Sequence, residues 1–292
     1  MAAPLTLKTA IGTYQHTRPL KDGRITSPRV CLDHVEIVPA NRAFRPMVNQ
    51  LAYDLSELAL VTYLLARTFQ RPLVGVPVIL MQQSAYNMLL VRPDSPLTDP
   101  RSLAGKTIGV RSYSQTTGVW LRGMLHDQFG LDLDSLSWIT FEPSHVDGFV
   151  DPPNARRAPD GATVASMLRA GEIDAAAGLE PADYPDLRHL IPNAVEVERE
   201  WVRQTGVEPI NHTLVVRQDI VTANPWLVDE LARMVRAAKA FVSTDGATSP
   251  AADVPADGVE PNRGGLTLLA RYAFEQHITP RTLTAEELYP GP

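Results

Sequence analysis

Short apolar runs separated by polar breaks mark the chain from its first residues. "LTLKTAIG" (Leu5–Gly12) alternates like a strand and ends on a glycine, and "VCLDHVEIVP" (Val30–Pro39) alternates again. "YDLSELALVTYLLARTF" opens with two cap-type residues, Asp54 and Ser56, then runs apolar on nearly all sides, which predicts a well-buried helix. "LVGVPVIL" (Leu73–Leu80) and "YNMLLV" (Tyr86–Val91) predict two further short strands. In "DPRSLAGKTIGV", Asp99 and Pro100 read as an N-cap and first turn, Gly105 as a C-cap and Lys106–Val110 as a strand.

The second half repeats the scheme. "SLSWITF" (Ser135–Phe141) is strand-like. "ATVASMLRAGEIDAAAG" reads as a helix stopped by Gly171, then a short strand through Ala175. "HTLVVR" (His212–Arg217) is a strand. "NPWLVDELARMVRAAKAFV" is the clearest helix: Asn224 caps it, Pro225 sits in its first turn, and Leu227, Leu231, Met234, Val235 and Ala238 share one face. "GGLTLLARYAFEQH" predicts a final helix. Ser144–Gly161 and Asp245–Asn262 are rich in Pro, Asp and Gly and read as loops, the second mobile. Strands alternating with helices predict an α/β fold with mostly parallel sheets.

Composition narrows the function. With 292 residues the chain has room for two domains, and its formal charge of -6 carries no basic block, which argues against a nucleic-acid partner. No segment approaches the ~20 apolar residues that span a bilayer, so no membrane partner is expected. The start, "MAAPLTLKTAIGTY", lacks a basic stretch followed by an apolar one. It is read as no signal peptide and a cytoplasmic location, or a periplasmic one if a leader has been removed. The lone cysteine, Cys31, reads as a small buried apolar residue. The seven histidines are dispersed, with no HExxH and no CxxC, so no metal is expected. GxSxG, GxGxxG and Walker patterns are absent, and no cofactor is implied.

What remains is polar residues at the ends of expected strands, where open α/β sheets bind ligands. Tyr14, His16 and Arg18 follow the first strand; Ser56 and Glu57 stand at an expected helix start; Gln82, Gln83 and Ser84 follow "VPVIL". Glu180 follows "IDAAAGL", and Asn211 and His212 precede "TLVVR". Each has a plain structural alternative: Arg18 a surface ion pair, Ser56 a helix cap, Glu57 a partner of the helix dipole, Gln82 and Gln83 loop amides, His212 a hydrogen-bonded core histidine. "GVRSYSQTTGVW" (Gly109–Trp120) is the strongest candidate. Ser114, Thr116 and Thr117 can cap the helix that follows, whose first N–H groups favour an anion, and Arg111 would add charge-assisted bonds to a carboxylate.

Several stretches, in order, carry a resemblance. They are "YQHTRPLKDGRI", "YDLSELALVTYLLAR", "GVPV", "LAGKTIGVRSYSQTTGVWLRGML", "MLRAGEIDAA", "RQTGVEPINHTLVVR", "NPW" and "ARYAFEQHITPRTLTAEELYP". Together they resemble the 4,5-dihydroxyphthalate decarboxylase family, with its type II periplasmic-binding-protein-like fold. The resemblance implies an α/β chain of two lobes around a ligand cleft. Residues 1–90 plus 213–292 would form the discontinuous first lobe and 91–212 the second, with crossings near Leu90–Arg92 and Pro209–Thr213. The chain departs from the family pattern at Gln15-His16, at "ILMQQSAYNM" and at Arg111-Ser112-Tyr113-Ser114.

The implied activity is non-oxidative decarboxylation of a hydroxylated aromatic, phthalate-like acid. Such chemistry needs a general acid for the ring carbon, for which histidine fits, and an N–H-rich or cationic site for a spectator carboxylate. The reading assigns His212 as proton donor and Glu57 as its orienter or base. Arg111, Ser112, Ser114, Gln115, Thr116 and Thr117 would hold the carboxylate. Tyr14, Arg18, Ser56, Gln82, Gln83 and Asn211 would line the cleft. The alternative is a solute-binding protein or cytoplasmic sensor for a small aromatic or other organic anion, without catalysis. A small anionic aromatic ligand is the expected partner in either case, with a homodimer left open.

Overall fold

The computed structural model describes residues 3–244 and 254–290, without the side chain of residue 244. Eleven strands are described: β1 (Leu5–Ala10), β2 (Val30–His34), β3 (Leu55–Ala59), β4 (Leu73–Gln82), β5 (Leu89–Val91), β6 (Thr107–Val110), β7 (Ser137–Thr140), β8 (Ala155–Arg157), β9 (Ala175–Ala177), β10 (Arg188–His189) and β11 (Ile210–Arg217). The helices are α1 (Arg18–Lys21), α2 (Phe44–Gln50), α3 (Leu60–Thr68), α4 (Thr116–Phe129), α5 (Val164–Ala170), α6 (Ala194–Thr205), α7 (Gln218–Ala223), α8 (Leu227–Thr244), α9 (Val259–Glu275) and α10 (Ala285–Leu288).

The strands form two separate sheets. The first has the order β2-β1-β3-β11-β4, in which β1 runs parallel to β2 and β3 while β11 runs antiparallel to both its neighbours. The second has the order β10-β5-β9-β6-β7-β8, parallel from β9 to β8 and antiparallel at β5 and β10. The chain divides into two compact α/β units, residues 1–82 with 210–266 and 283–292, and residues 83–209 with 267–282. These bounds differ from those expected after residues 90 and 212. The reason is that β4 runs on to Gln82 and pairs there with Ile210, while β5 belongs to the second sheet. Residues 267–282 group with the second unit because Tyr272 packs on Gly123 of α4: a Cβ there would lie 2.2 Å from the tyrosine ring.

In the first unit, Leu7, Leu55, Val76, Val78, Leu80, Leu214 and Val216 from the sheet meet Leu227, Leu231, Met234, Val235 and Ala238 of α8, the apolar face read from the sequence. Lys239 of the same helix is buried and bonds Asp257 Oδ1 at 2.6 Å and the carbonyls of Ile79 and Pro255. The second unit has a cluster of its own around Ile139, Val164, Met167, Leu168 and Ile173.

Several expectations are corrected. The segment expected to form one helix from Tyr53 is strand β3 followed by α3; every residue from Leu55 to Ala59 is buried, so a strand enclosed on both faces shows no alternation. Ser56 is therefore not a helix cap: its hydroxyl donates to the Glu57 carbonyl at 2.8 Å. Asn224 closes α7, a helix the pattern did not reveal, rather than opening the next. Cys31 is exposed on β2, not buried. The expected final helix begins earlier, at Val259, and α10 follows it. Of the expected Asp245–Asn262 loop, residues 245–253 lie outside the described residues, and its last four residues are helical. No described helix is long and apolar enough to cross a membrane.

Candidate functional site

The first sheet sets the geometry of a buried acid–imidazole–phenol cluster. Glu57 on β3 lies opposite Leu214 on β11, and His212 lies opposite Ala59. The two are thus diagonal neighbours on one face, close enough for long side chains to meet. His212 Nδ1 lies 2.5 Å from Glu57 Oε1. Tyr14 Oη donates to the same oxygen at 2.6 Å, and the Gly12 N–H donates to Oε2 at 2.7 Å. Gly12 and Tyr14 arrive here because β1 runs parallel beside β3 and the chain turns just past its end. Only glycine fits at residue 12: a Cβ would come within 2.8 Å of the Tyr14 ring and 2.9 Å of Glu57 Oε2.

β11 is irregular where it carries the histidine. Its register against β4 shifts between Ile210 and His212 and again on either side of Thr213. Bulges of this kind re-aim side chains. Asn211 lies inside this irregularity and is buried, so it and His212 belong to the strand rather than to the turn before it. The His212 ring packs edge-on against Phe44, centroids 5.2 Å apart.

Burial alone would raise the Glu57 carboxyl, but the bonds from His212, Tyr14 and Gly12 outweigh it and hold the group below the usual carboxylate range. Tyr14 is pushed far above the ordinary phenol value by burial and by the Glu57 charge, so it stays a donor. His16 stacks on Tyr14, centroids 5.5 Å apart. Its Nε2 is buried and has no hydrogen-bond partner among the described residues. Burial, joined by the Lys239 charge, pushes the His16 ring down to about 4.

The second unit gathers hydroxyls around the start of α4. Ser112 and Ser114 Oγ lie 3.4 Å apart, Ser114 Oγ donates to Ser144 Oγ at 3.0 Å, and Thr117 Oγ1 donates to Gln83 Oε1 at 3.1 Å. Ser112, Ser114, Thr116, Thr117 and Ser144 are all buried. The helix is not capped as expected. Gln115 takes the cap position without a side-chain cap bond, because the Ser114 hydroxyl is turned to Ser144. Arg111, expected to meet a ligand carboxylate, is paired with Glu142 Oε2 at 3.1 Å.

No family model matches the chain. It is 29% identical over 263 residues to a 4,5-dihydroxyphthalate decarboxylase of Comamonas testosteroni, covering 82% of this chain and 76% of that one. A second protein of that name, from Pseudomonas putida, is 28% identical over 68% of this chain and 82% of its own length. The chain is thus similar in sequence to the 4,5-dihydroxyphthalate decarboxylases. In structure it is similar to the alkanesulfonate-binding protein SsuA of Xanthomonas axonopodis pv. citri bound to MOPS (TM-score 0.59, 16% identity, 99% of each chain). It is also similar to the desulfurization enzyme DSZB (TM-score 0.55, 16% identity, 98% of this chain and 96% of that one). The fold is therefore that of the type II periplasmic-binding-protein-like proteins.

Among the expected site residues, the structure brings together Tyr14, Glu57 and His212 in the first unit. It brings together Ser112, Ser114, Thr117 and Gln83 in the second. Arg18 is exposed at the first position of α1, Gln82 ends β4, and Glu180 is exposed. Ser144 was not expected: it opens a stretch read only as loop, and a serine in such a stretch carries no signal of its own. Among the described residues no group of three or more His, Cys, Asp or Glu could hold a metal.

Proposed function

We propose that the chain is a non-oxidative decarboxylase of a hydroxylated aromatic, phthalate-like carboxylic acid, with His212 as its general acid. The observation that carries this reading is the buried Glu57–His212 contact, in a chain related to decarboxylases of that substrate class. Glu57 engages Nδ1, which fixes the tautomer and leaves Nε2 as the nitrogen that works. The carboxylate stays ionised and holds the ring by Nδ1, while Tyr14 and Gly12 stop it from turning away. In the step, Nε2–H of the imidazolium protonates the ring carbon that bears the carboxylate. The C–C bond breaks, its electron pair stays with the ring, and carbon dioxide leaves. The neutral imidazole keeps Nδ1–H on Glu57.

The test is carbon dioxide release from a panel of hydroxyphthalates, read beside thermal shift. His212→Asn should lower turnover about 10²–10⁴-fold, the usual contribution of general acid–base catalysis, and leave ligand affinity within about tenfold. Near-full turnover by His212→Asn removes His212 from the mechanism. Stabilisation of the unaltered chain by the whole panel without any carbon dioxide release favours a solute-binding protein instead.

A further inference from the structure

Arg122 interrupts the apolar run Val119–Leu125 of α4 and is completely buried. Its guanidinium carbon lies 4.1 Å from the Tyr113 ring centre and 4.9 Å from that of Trp138. Nε donates to Gln276 Oε1 at 2.5 Å and Nη2 to the Tyr113 carbonyl at 2.6 Å. Nη1 has no hydrogen-bond partner among the described residues. Asp151 acts on the guanidinium only from a distance, and its own Oδ2 accepts from Thr140 Oγ1 at 3.1 Å. Among the described residues, then, this cation has neutral partners and no carboxylate in contact.

An arginine keeps its charge in any folded protein, and a buried charge without a counter-ion is costly. Side chains of a helix lean toward its N-terminus, so Arg122 reaches back under the first turn of α4. Nη1 comes within 3.4 Å of where a Cβ on Gly118 would stand. Ser112 and Ser114 precede that turn in the chain, Thr116 and Thr117 open it, and all four are buried. The 14-residue helix adds the partial positive charge of its start, with the same sign. Arg111 lies on the same loop but already holds Glu142.

We propose that Arg122 supplies the positive charge of an anion site at the Ser112–Thr117 loop, and that an organic carboxylate bound there is its missing counter-ion. The choice of a carboxylate rests on the decarboxylase reading; the site does not. Arg122 acts through the loop and is a positioning and electrostatic residue, not a catalytic one.

The test compares phthalate, a dianion, with uncharged dimethyl phthalate, by calorimetry and thermal shift on the full chain. Arg122→Met removes the cost of burying the charge but also the donors to Gln276 and the Tyr113 carbonyl, so its ligand-free melt is recorded first and binding is measured where it is folded. It should bind phthalate about tenfold or more weakly, the loss of one charge-assisted interaction, with dimethyl phthalate unaffected. Arg122→Lys, which carries a charge but not the stacked, forked guanidinium, should bind phthalate more weakly than the unaltered chain and more tightly than Arg122→Met. Equal losses for both ligands, unchanged phthalate affinity in Arg122→Met, or no phthalate binding by the unaltered chain would each overturn the proposal. If Arg122→Met does not fold, Arg122→Lys against Arg122→Gln decides it: phthalate affinity follows the charge, or the proposal fails. Carbon dioxide release is measured separately with the hydroxyphthalate panel, so a chain that binds phthalate through Arg122 but releases none from any hydroxyphthalate sinks the decarboxylase reading alone.

Discussion

Glu57 accepts from an imidazole, a phenol and a backbone N–H while fully buried, so one substitution probes the whole cluster. Glu57→Gln keeps the shape but puts an amide NH2 in place of one accepting oxygen, opposite either the Gly12 N–H or the His212 and Tyr14 donors, leaving at least one unsatisfied. The expected cost is about 1–3 kcal/mol of stability, read as a lower urea midpoint. Turnover should fall about 10²–10⁴-fold as the His212 ring loses the carboxylate that orients it. A variant that melts and turns over like the unaltered chain would show that the contact is dispensable. At this scale the sequence supplied the residue types but not their partners. Glu57 and His212 are 155 residues apart, and nothing local distinguishes them from a helix-dipole carboxylate and a core histidine.

Among the elements, β3 and α4 show opposite sides of sequence reading. The "LSELALVTYLLA" run is apolar throughout, and periodicity cannot separate an enclosed strand from a buried helix. The error moved Ser56 and Glu57 from mid-strand to a helix start and hid their relation to β11. In α4 the helix itself was legible, but the burial of Arg122 and the tightness at Gly123 depend on Tyr272 and Gln276, which lie far along the chain. Gly123→Ala would drive a methyl group into the Tyr272 ring, with contacts of 2.2 Å to be relieved. Overpacking of this kind costs about 1–3 kcal/mol. A thermal melt should show a clear fall in Tm, and an unchanged melt would contradict the packing described.

For the whole molecule, buried histidines set the response to acid. His16 is pushed down to about 4 by burial and the Lys239 charge, against an unfolded value of about 6.5. The folded chain thus favours the neutral ring. Its contribution is complete above pH ~6.5 and is lost as the pH falls toward 4, a change of about 3 kcal/mol. His34, lowered by burial, acts in the same direction. Glu57, also held below its ordinary value, keeps its contribution above its unfolded value of about 4.3 and loses it only in more acid solution. Urea midpoints should therefore decline between pH 6.5 and 4, and His16→Gln should flatten that decline. A variant whose profile parallels the unaltered chain would remove His16 as the cause.

The sequence by itself determined the fold class, most strands and helices, the apolar face of α8, and the resemblance to the 4,5-dihydroxyphthalate decarboxylases. These are properties of local periodicity and of ordered runs, which need no knowledge of distant contacts. Tertiary structure decided which polar residues share a site. Sheet order placed His212 diagonal to Glu57, and parallel pairing brought Gly12 and Tyr14 to the same carboxylate. The same level of structure paired Arg111 with Glu142 and buried Arg122 without a counter-ion. The physical reason is that charge pairing and burial are set by what packs across hundreds of residues of chain, whereas hydrophobic rhythm is set within a few turns.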